Sequence, residues 1–187
     1  MPAEPPQSAR QSTSQPTQQP TQQITVSKVA IASDHAGVAE KARLVEWMKG
    51  QGIEVLDLGP ATDDRVDYPD FAAKVAGAVT GGTVETGVLV CGTGIGMAIA
   101  ANKLPGIRAA NVTSPEFAAL AREHNDANIV AVSARFSEPQ TNERILATFF
   151  STDFGGGRHA GRVQKITDLE AGPVGHDEET ASGATDR

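Results

Sequence analysis

Five short apolar runs alternate along the chain with longer segments whose apolar residues recur at helical spacing. The runs cover residues 28–33, 53–59, 86–91, 107–112 and 128–133. Runs of this length, rich in β-branched residues, predict strands that are buried on both faces of a sheet. Because strands and helices alternate, we expect an α/β fold: a doubly wound, five-stranded parallel sheet of Rossmann-like or flavodoxin-like type.

The segments between the runs predict helices that cover this sheet. After the first run, Val45 and Met48 lie on one helical face, and Gly52 ends the segment. Two later segments begin with a proline in their first turn, which is typical of a helix start. Residues 158–170 follow the last predicted strand and its helix, and their apolar stripe predicts an extra C-terminal helix.

Both ends of the chain differ in composition from its middle. Residues 1–25 are mostly Pro, Gln, Ser and Thr, and residues 172–187 are polar with an acidic bias. Such stretches cannot bury enough apolar surface to offset the entropy lost on ordering. We therefore expect a disordered leader over residues 1–25, one domain over residues 26–171, and a disordered acidic tail over residues 172–187.

Charge and cysteine content narrow the function classes. The formal net charge of −7 argues against a nucleic-acid partner. The sequence shows no secretory h-region and no apolar run of membrane-spanning length, so we expect a cytoplasmic protein without membrane contact. One cysteine excludes an internal disulfide and a cysteine-built zinc site, and the four histidines lack ligand spacing. We expect neither metal nor cofactor.

Ligands of such sheets bind beyond the carboxyl ends of the strands, and polar residues follow the predicted strands there. These residues are Ser33 to His35, the loop from Asp64 to Tyr68, Cys91 to Gly94, Asn111, and Ser133 to Arg135. Tyr68 either lines this edge or only covers its own loop. The single thiol of the chain therefore lies at the expected ligand-binding edge.

The motif CGTGIG, residues 91–96, does not fit the common nucleotide loops. Its glycine spacing differs from the dinucleotide fingerprint, it follows the third strand rather than the first, and no acidic residue follows at the ribose-binding distance. It also lacks the Gly-Lys-Ser or Gly-Lys-Thr of a P-loop. What remains is a turn whose backbone N–H groups converge on an anion, either a phosphate or an oxyanion formed during reaction.

Several side chains could act with this turn, and each has a plainer explanation. Thiolates are favoured near helix N-termini, but a lone cysteine that ends a buried strand is usually a small core residue. Arg158 and Arg162 stand four apart where their charges oppose the helix dipole, which suggests a bound anion, or else two solvated arginines. His124 and Asn125 could donate protons or simply form a cap and turn.

Together these groups are suited to proton transfer on a phosphorylated small molecule. Two alternatives stay open on the residues alone. One is a non-catalytic module that binds a phosphorylated ligand, and the other is a nucleotide-binding domain. The alternatives predict binding without turnover, so they are distinguishable from an enzyme by experiment.

The motifs SDHAG, DYPDFA, CGTGIGMAIAANK, GIRAA, EHNDANI and GGRHAGRV occur in this order between about residues 27 and 170. In this combination they resemble ribose-5-phosphate isomerase type B, a family that also includes galactose-6-phosphate isomerase subunits. The resemblance implies a metal-free aldose–ketose isomerase that interconverts ribose 5-phosphate and ribulose 5-phosphate through a cis-enediolate. A tetrose or hexose phosphate remains an alternative substrate.

The resemblance also implies roles for individual residues. Cys91 would be the base, and His124 the ring-opening proton donor, helped by Asp34. The backbone from Gly92 to Gly96 and the Thr93 hydroxyl would hold the enediolate oxygens. The substrate-binding residues implied are Asp34, His35, Tyr68, Gly92, Thr93, Gly94, Ile95, Gly96, Asn125, Arg135, Arg158 and Arg162. His35, Arg158 and Arg162, joined by Arg135, would hold the phosphate.

Two further points follow from the resemblance. It implies a homodimer, or a dimer of dimers, with sites at the interface to which the neighbouring chain supplies His124, Asn125 and Arg135. One branch of the family uses a cysteine base at the position of Cys91, and another uses a glutamate six residues later. Here that later position is Met97, which cannot take a proton, so the chain is identified with the cysteine branch.

Overall fold

The computed structural model describes residues 23–172, so the predicted leader up to residue 22 and the predicted tail from residue 173 lie outside the described residues. The strands are β1 Lys28–Ser33, β2 Glu54–Asp57, β3 Thr86–Cys91, β4 Ala109–Asn111 and β5 Ile129–Ser133. The helices are α1 Val38–Gly50, α2 Tyr68–Thr80, α3 Ile95–Ala101, α4 Pro115–Asn125, α5 Pro139–Ser151 and α6 Ala160–Asp168. The predicted α/β class and the extra C-terminal helix are confirmed.

The five strands form one parallel sheet in the order β2-β1-β3-β5-β4. Compared with the flavodoxin order, the last two strands are exchanged, so β4 forms the edge and β5 lies inside. Residue Ser33 pairs with Val90, and Cys91 pairs with Ser133. The carboxyl ends of β1, β3 and β5 therefore lie side by side, an order that the sequence analysis did not predict.

Helices cover both faces of the sheet. Helices α1, α4 and α5 pack on one face, over a core that includes Leu44, Val90 and Phe149. Helices α2 and α3 pack on the other face, where the core includes Val75, Leu89 and Cys91. Because successive strand residues point to opposite faces, β3 contributes to both cores. The thiol therefore points to the α2–α3 side.

Three strands, β2, β4 and β5, are shorter than predicted, and the contacts of the domain begin before its predicted start at residue 26. Strand β4 begins only at Ala109, because the side chain of Asn128 accepts the backbone N–H of Arg108 at 2.9 Å. At the start of the domain, the backbone N–H and the hydroxyl of Thr25 both donate to the Phe150 carbonyl, at 3.1 and 3.0 Å. Thr25, assigned above to the leader, thus contacts the domain.

Helix α6 differs from the other helices because none of its residues is buried. Its apolar residue Ile166 and the nearby Leu169 stay 40% and 63% exposed. Helix α6 therefore adds little to the core of its own chain. Across residues 23–172, no helix is both long and apolar enough to cross a bilayer.

We expect two glycine-to-alanine changes, one in β3 against α2 and one on the exposed side of α2, to have opposite effects on the free energy of unfolding. A Cβ at Gly87, inside the sheet, would lie 2.5 Å from Val75 Cγ1, so Gly87→Ala should destabilise by about 1–3 kcal/mol. Gly77, on the exposed side of α2, has no atom within 4 Å of such a Cβ. Gly77→Ala should stabilise by about 0.5–1 kcal/mol. Urea unfolding followed by circular dichroism measures both, and equal effects would contradict the packing described.

Candidate functional site

Cys91 ends β3 and opens the glycine turn into α3. Its Sγ atom accepts a hydrogen bond from the backbone N–H of Gly94 at 3.1 Å. Only 5% of the residue is exposed, and it packs beside Leu89 and Met97. Burial this deep is typical of a core cysteine, but here a backbone N–H is also directed at the sulfur.

Gly94 is the position at which this turn requires a glycine. Its φ of 81° lies in the left-handed region. A Cβ there would also lie 3.1 Å from the Asn111 side-chain oxygen and from the Val132 backbone. The Asn111 side chain donates to the Thr93 carbonyl at 3.3 Å, so it supports the turn from β4. The turn can approach β5 this closely only because position 94 has no side chain.

Asp34 and His35 lie next to this turn, at the end of β1. The N–H of Asp34 donates to the Val90 carbonyl at 3.1 Å, one residue before Cys91. One oxygen of Asp34 accepts the N–H groups of Ala36 and Gly37, so this carboxylate caps a short turn. The ring of His35 contacts the Val66 carbonyl at 3.3 Å, which orients it.

Tyr68 and Arg135 flank the glycine turn. The Tyr68 ring lies over Gly96, where a Cβ would be 3.1 Å from Tyr68 Cζ. The Arg135 side chain lies over Gly92 of its own chain, 3.5–3.6 Å from the place a Cβ would take. The resemblance had implied Arg135 from the neighbouring chain. Within one chain, the short connection after β5 holds Arg135 beside the glycine turn, because the Arg135 N–H donates to the Gly92 carbonyl at 3.2 Å.

His124 lies at the opposite edge of the sheet. Helix α4 starts after the carboxyl end of β4 and ends at Asn125, just before the amino end of β5 at Ile129. His124 therefore sits at the amino edge, whereas Cys91 sits at the carboxyl edge. A six-residue strand such as β3 separates the two edges by roughly 17–20 Å.

Arg158 and Arg162 accompany His124 at the amino edge. The Gly155 N–H donates to the Glu123 carbonyl at 2.9 Å, which folds this loop back onto the end of α4. As a result, the ring of His159 stacks on that of His124, with centroids 4.2 Å apart and planes within 7°. The Arg158 Nε atom lies 3.4 Å from His159 Nε2.

His159 is the residue that sequence reasoning missed. Its pKa is lowered from the ordinary value, first by partial removal from water and then by the positive charges of His124, Arg158 and Arg162. Its place between the two arginines in GGRHAGRV was visible in the sequence. The stacking on His124 was not visible, because it depends on the fold of the loop before it.

The turn after α4 is closed by Asp126, not by the side chains of His124 or Asn125. Asp126 has a φ of 46°, and its carboxylate accepts Arg108 at 2.8 Å and Arg122 at 3.0 Å. Within residues 23–172, the Asn125 side chain makes no hydrogen bond, and it borders a cavity of about 230 Å³. The cap and turn predicted as an alternative role for His124 and Asn125 are therefore formed by Asp126. The side chains of His124 and Asn125 do not close the turn.

One chain thus assembles two separate groups of the predicted residues. The thiol half-site, at the carboxyl edge, contains Asp34, His35, Tyr68, Cys91, Gly92, Thr93, Gly94, Ile95, Gly96 and Arg135. The histidine half-site, at the amino edge, contains His124, Asn125, Arg158, His159 and Arg162. The predicted phosphate set of His35 with Arg158 and Arg162 is therefore not brought together within one chain, because parallel strands place these residues at opposite edges.

Large apolar side chains are exposed near both half-sites. They are Tyr68, Ile95, Ile99, Phe117, Leu120, Phe136, Ile166 and Leu169, each at least 40% exposed. Ile95 and Ile99 lie on α3 and Phe117 and Leu120 on α4, the two helices next to the short edge strand β4. Among residues 23–172, no three His, Cys, Asp or Glu side chains are grouped so that they could hold a metal ion.

Comparison with known proteins shows the family to which this chain is similar. The sequence model of the family described as Ribose/Galactose Isomerase matches residues 29–166. Ribose-5-phosphate isomerase B of Escherichia coli is 41% identical over 145 residues, which cover 78% of this chain and 97% of that protein. The putative sugar phosphate isomerase YwlF of Bacillus subtilis is 46% identical over 144 residues, covering 76% of this chain and 97% of that protein.

Solved structures agree with the sequence relatives. Ribose-5-phosphate isomerase B of Clostridium thermocellum matches with a TM-score of 0.76 and 46% identity, covering 77% of this chain and 97% of that one. A Thermotoga maritima ribose 5-phosphate isomerase matches with a TM-score of 0.75 and 46% identity, covering 77% and 99%. The resemblance inferred from the motifs is confirmed, and this chain belongs to the ribose/galactose isomerase family.

Proposed function

We propose that this isomerase interconverts ribose 5-phosphate and ribulose 5-phosphate, with Cys91 as the base. The observation that carries the proposal is the thiol held at the carboxyl edge, with the Gly94 N–H 3.1 Å from its sulfur. Membership of the family supports the reaction class. The names of the relatives in E. coli and C. thermocellum support the pentose phosphate as substrate.

The chemistry begins with the closed sugar ring. His124 donates a proton to the ring oxygen while the Asp34 carboxylate accepts the proton of the anomeric hydroxyl, so the bond between C1 and the ring oxygen breaks and an aldehyde forms. Asp34, whose second oxygen makes no hydrogen bond within residues 23–172, assists from the other half-site. A ring nitrogen suits this role because histidine gains and loses protons near neutral pH.

The isomerisation then moves one proton between two carbons. The Cys91 thiolate takes the proton from C2, and the C2 electron pair shifts so that negative charge develops on O1. Backbone N–H groups of the glycine turn and the Thr93 hydroxyl stabilise this enediolate, which is usually the larger contribution to such a rate. The thiol then returns the proton to C1 as the O2 proton moves to O1, which leaves the ketose and the original thiolate.

The identity of residue 97, a methionine, supports the assignment of Cys91 as the base. This residue stands where the other branch of the family has its glutamate, and its side chain is fully buried in the α2–α3 core. A thioether cannot accept a proton at neutral pH. Within the thiol half-site, the groups other than Cys91 that could act as a base are Asp34, which caps a turn, and His35.

The arginines of the histidine half-site would hold the substrate phosphate. Arg158 and Arg162 are both exposed, and neither makes an ion pair within residues 23–172. Two unpaired guanidinium groups beside the His124–His159 stack suit a phosphate dianion, since arginine binds phosphate through several N–H donors. Holding the phosphate away from the reacting carbons supplies binding energy for orientation.

A second copy of the chain would complete the site. The thiol and histidine half-sites lie at opposite edges of the sheet, so a single molecule cannot apply both to one small sugar. The exposed apolar residues on α3 and α4 offer a surface for self-association beside both half-sites. In a two-fold dimer, each site would take its thiol half-site from one chain and its histidine half-site from the other.

We expect the wild-type protein to exchange the C2 proton of ribose 5-phosphate in deuterated water and to form ribulose 5-phosphate, with or without a chelator. Cys91→Ser should lower both rates by about 10³-fold or more, because an alcohol is a far weaker base than a thiolate. Proton NMR follows both reactions in one sample. Tetrose and hexose phosphates run alongside test the alternative substrates.

A matched control for this variant is Ser114→Ala, which removes a half-buried hydroxyl that caps α4. It should retain the wild-type rate. A Cys91→Ser protein that exchanges and isomerises normally would show that the base is misassigned. Binding of ribose 5-phosphate without any exchange in the wild type would favour a non-catalytic module.

Shared sites predict complementation between two inactive variants. Cys91→Ser chains mixed with His124→Ala chains should form heterodimers in which one of the two sites is intact. With random pairing, about a quarter of the wild-type activity should return. The assay is isomerase rate after the two variants are unfolded and refolded together, compared with each variant refolded alone. No recovery, despite mixed dimers detected by native mass spectrometry, would show that the sites are not shared.

Phosphate binding should raise the pKa of His159. The neighbouring arginines contribute to lowering this pKa, and a bound dianion would offset their charge. NMR titration of the His159 ring with and without inorganic phosphate measures the change. Arg162→Gln should abolish the response, while the exposed Arg144→Gln on α5 should keep it. A pKa of His159 that saturating phosphate leaves unchanged would contradict the assigned anion site.

The same lowered pKa fixes the sign of a pH effect on folding. In the unfolded chain the pKa of His159 lies near its ordinary value of 6.5, which is above its pKa in the folded chain. The stability contributed by the neutral ring is therefore present above about pH 6.5 and is lost as the pH falls through the folded pKa.

A further inference from the structure

Ser133, at the end of β5, holds the glycine turn through a hydroxyl whose hydrogen-bonding capacity is completely satisfied. Its Oγ atom donates to the Gly92 carbonyl at 2.8 Å and accepts the N–H groups of Arg135 at 3.2 Å and Phe136 at 2.9 Å. A serine hydroxyl has one proton and two lone pairs, so these three bonds exhaust it. Only 3% of Ser133 is exposed, so water has little access to compete.

This contact fixes the direction of the next backbone N–H group. The Gly92 carbonyl and the Thr93 N–H belong to one planar trans peptide, in which they point in opposite directions. Because Ser133 and the Arg135 N–H hold the carbonyl toward β5, the Thr93 N–H points away from β5. Within residues 23–172, that N–H makes no hydrogen bond, so it is available to an oxygen of a bound molecule.

A buried amide supports Ser133 from behind. Asn142 on α5 is fully buried and donates to the Ser133 carbonyl at 3.0 Å and to a Glu40 oxygen at 2.6 Å. Both partners are acceptors, so the amide nitrogen must face them. Arg43 in turn binds the Glu40 carboxylate at 2.8 Å. The end of β5 is therefore anchored to α1 and α5 by contacts that the isomerase chemistry above does not use.

We infer that Ser133 is a positioning residue of the isomerase, which aims the Thr93 N–H at the oxygen that becomes negative in the enediolate. The inference rests on the proposed function. Ser133 itself does not touch the substrate. Its effect should appear in the transition state more than in substrate binding, because charge on the oxygen develops only during proton transfer.

Removing the hydroxyl tests this role. Ser133→Ala leaves the Gly92 carbonyl with one donor and leaves the Phe136 N–H without its acceptor, so the peptide can rotate. We expect kcat for ribose 5-phosphate to fall about 10-fold or more with KM within about 2-fold of wild type. A phosphorylated four-carbon hydroxamate, which mimics the enediolate, should lose a similar factor in affinity. Ribitol 5-phosphate, which cannot form an enediolate, should bind within about 2-fold of wild type.

Two variants separate positioning from loss of stability. Ser133→Thr keeps the hydroxyl and should recover most of kcat. Thr86→Val is a matched control on β3. Thr86 is 6% exposed, and its hydroxyl donates to the Asn128 carbonyl at 2.8 Å; in the variant this carbonyl still accepts the Gly87 N–H, at 3.0 Å in the wild type. Thr86→Val should lose stability in thermal unfolding with wild-type kcat. Should Ser133→Ala not fold, Asn142→Leu removes the support behind Ser133 and should give the same loss of kcat at unchanged KM.

The outcomes are distinguishable from failure of the proposed function. An active wild type with a Ser133→Ala variant of equal kcat and equal hydroxamate affinity would overturn the positioning role alone. Equal losses of hydroxamate and ribitol 5-phosphate affinity would also overturn it, since they indicate a general distortion of the site. A wild type that cannot isomerise ribose 5-phosphate would overturn the proposed function and the role of Ser133 together.

Discussion

The direction of the strands governs what one copy of this protein can assemble. All five strands are parallel, so every strand end with its following loop lies at one edge, and every helix that leads into a strand ends at the other edge. The thiol of Cys91 belongs to the first edge, and the imidazole of His124 belongs to the second. No side chain of ordinary length spans that distance, so the separation is a property of the fold and not of a particular rotamer.

At the thiol edge, the proposed chemistry depends on backbone more than on side chains. The polar groups next to Cys91 are largely peptide N–H and carbonyl groups, directed by a left-handed Gly94 and by hydrogen bonds from the end of β5. Backbone donors that are held in place need little reorganisation when charge develops, which is the condition for effective stabilisation of an oxyanion. Under the proposed function, this would account for a turn rich in glycine that matches neither common nucleotide loop.

Local pattern was sufficient for the elements, but not for their spatial neighbours. Strands β1 and β3 have the predicted bounds, because each is a continuous buried run. The pairing of β5 beside β3 has no local signal, and it is this pairing that places Arg135 over Gly92 of the same chain. The stacking of His159 likewise depends on a long-range contact, from Gly155 to Glu123. Motifs supplied the candidate residues, whereas their division between two edges required the fold.

The ion pairs of Asp126 have a consequence for how copies of this chain would meet. Asp126 joins Arg108, ahead of β4, to Arg122 on α4, and so locks the segment that carries His124 and Asn125. A surface that is rigid before it meets its partner loses little conformational freedom on association. Association of two such chains would therefore require little further ordering of this segment.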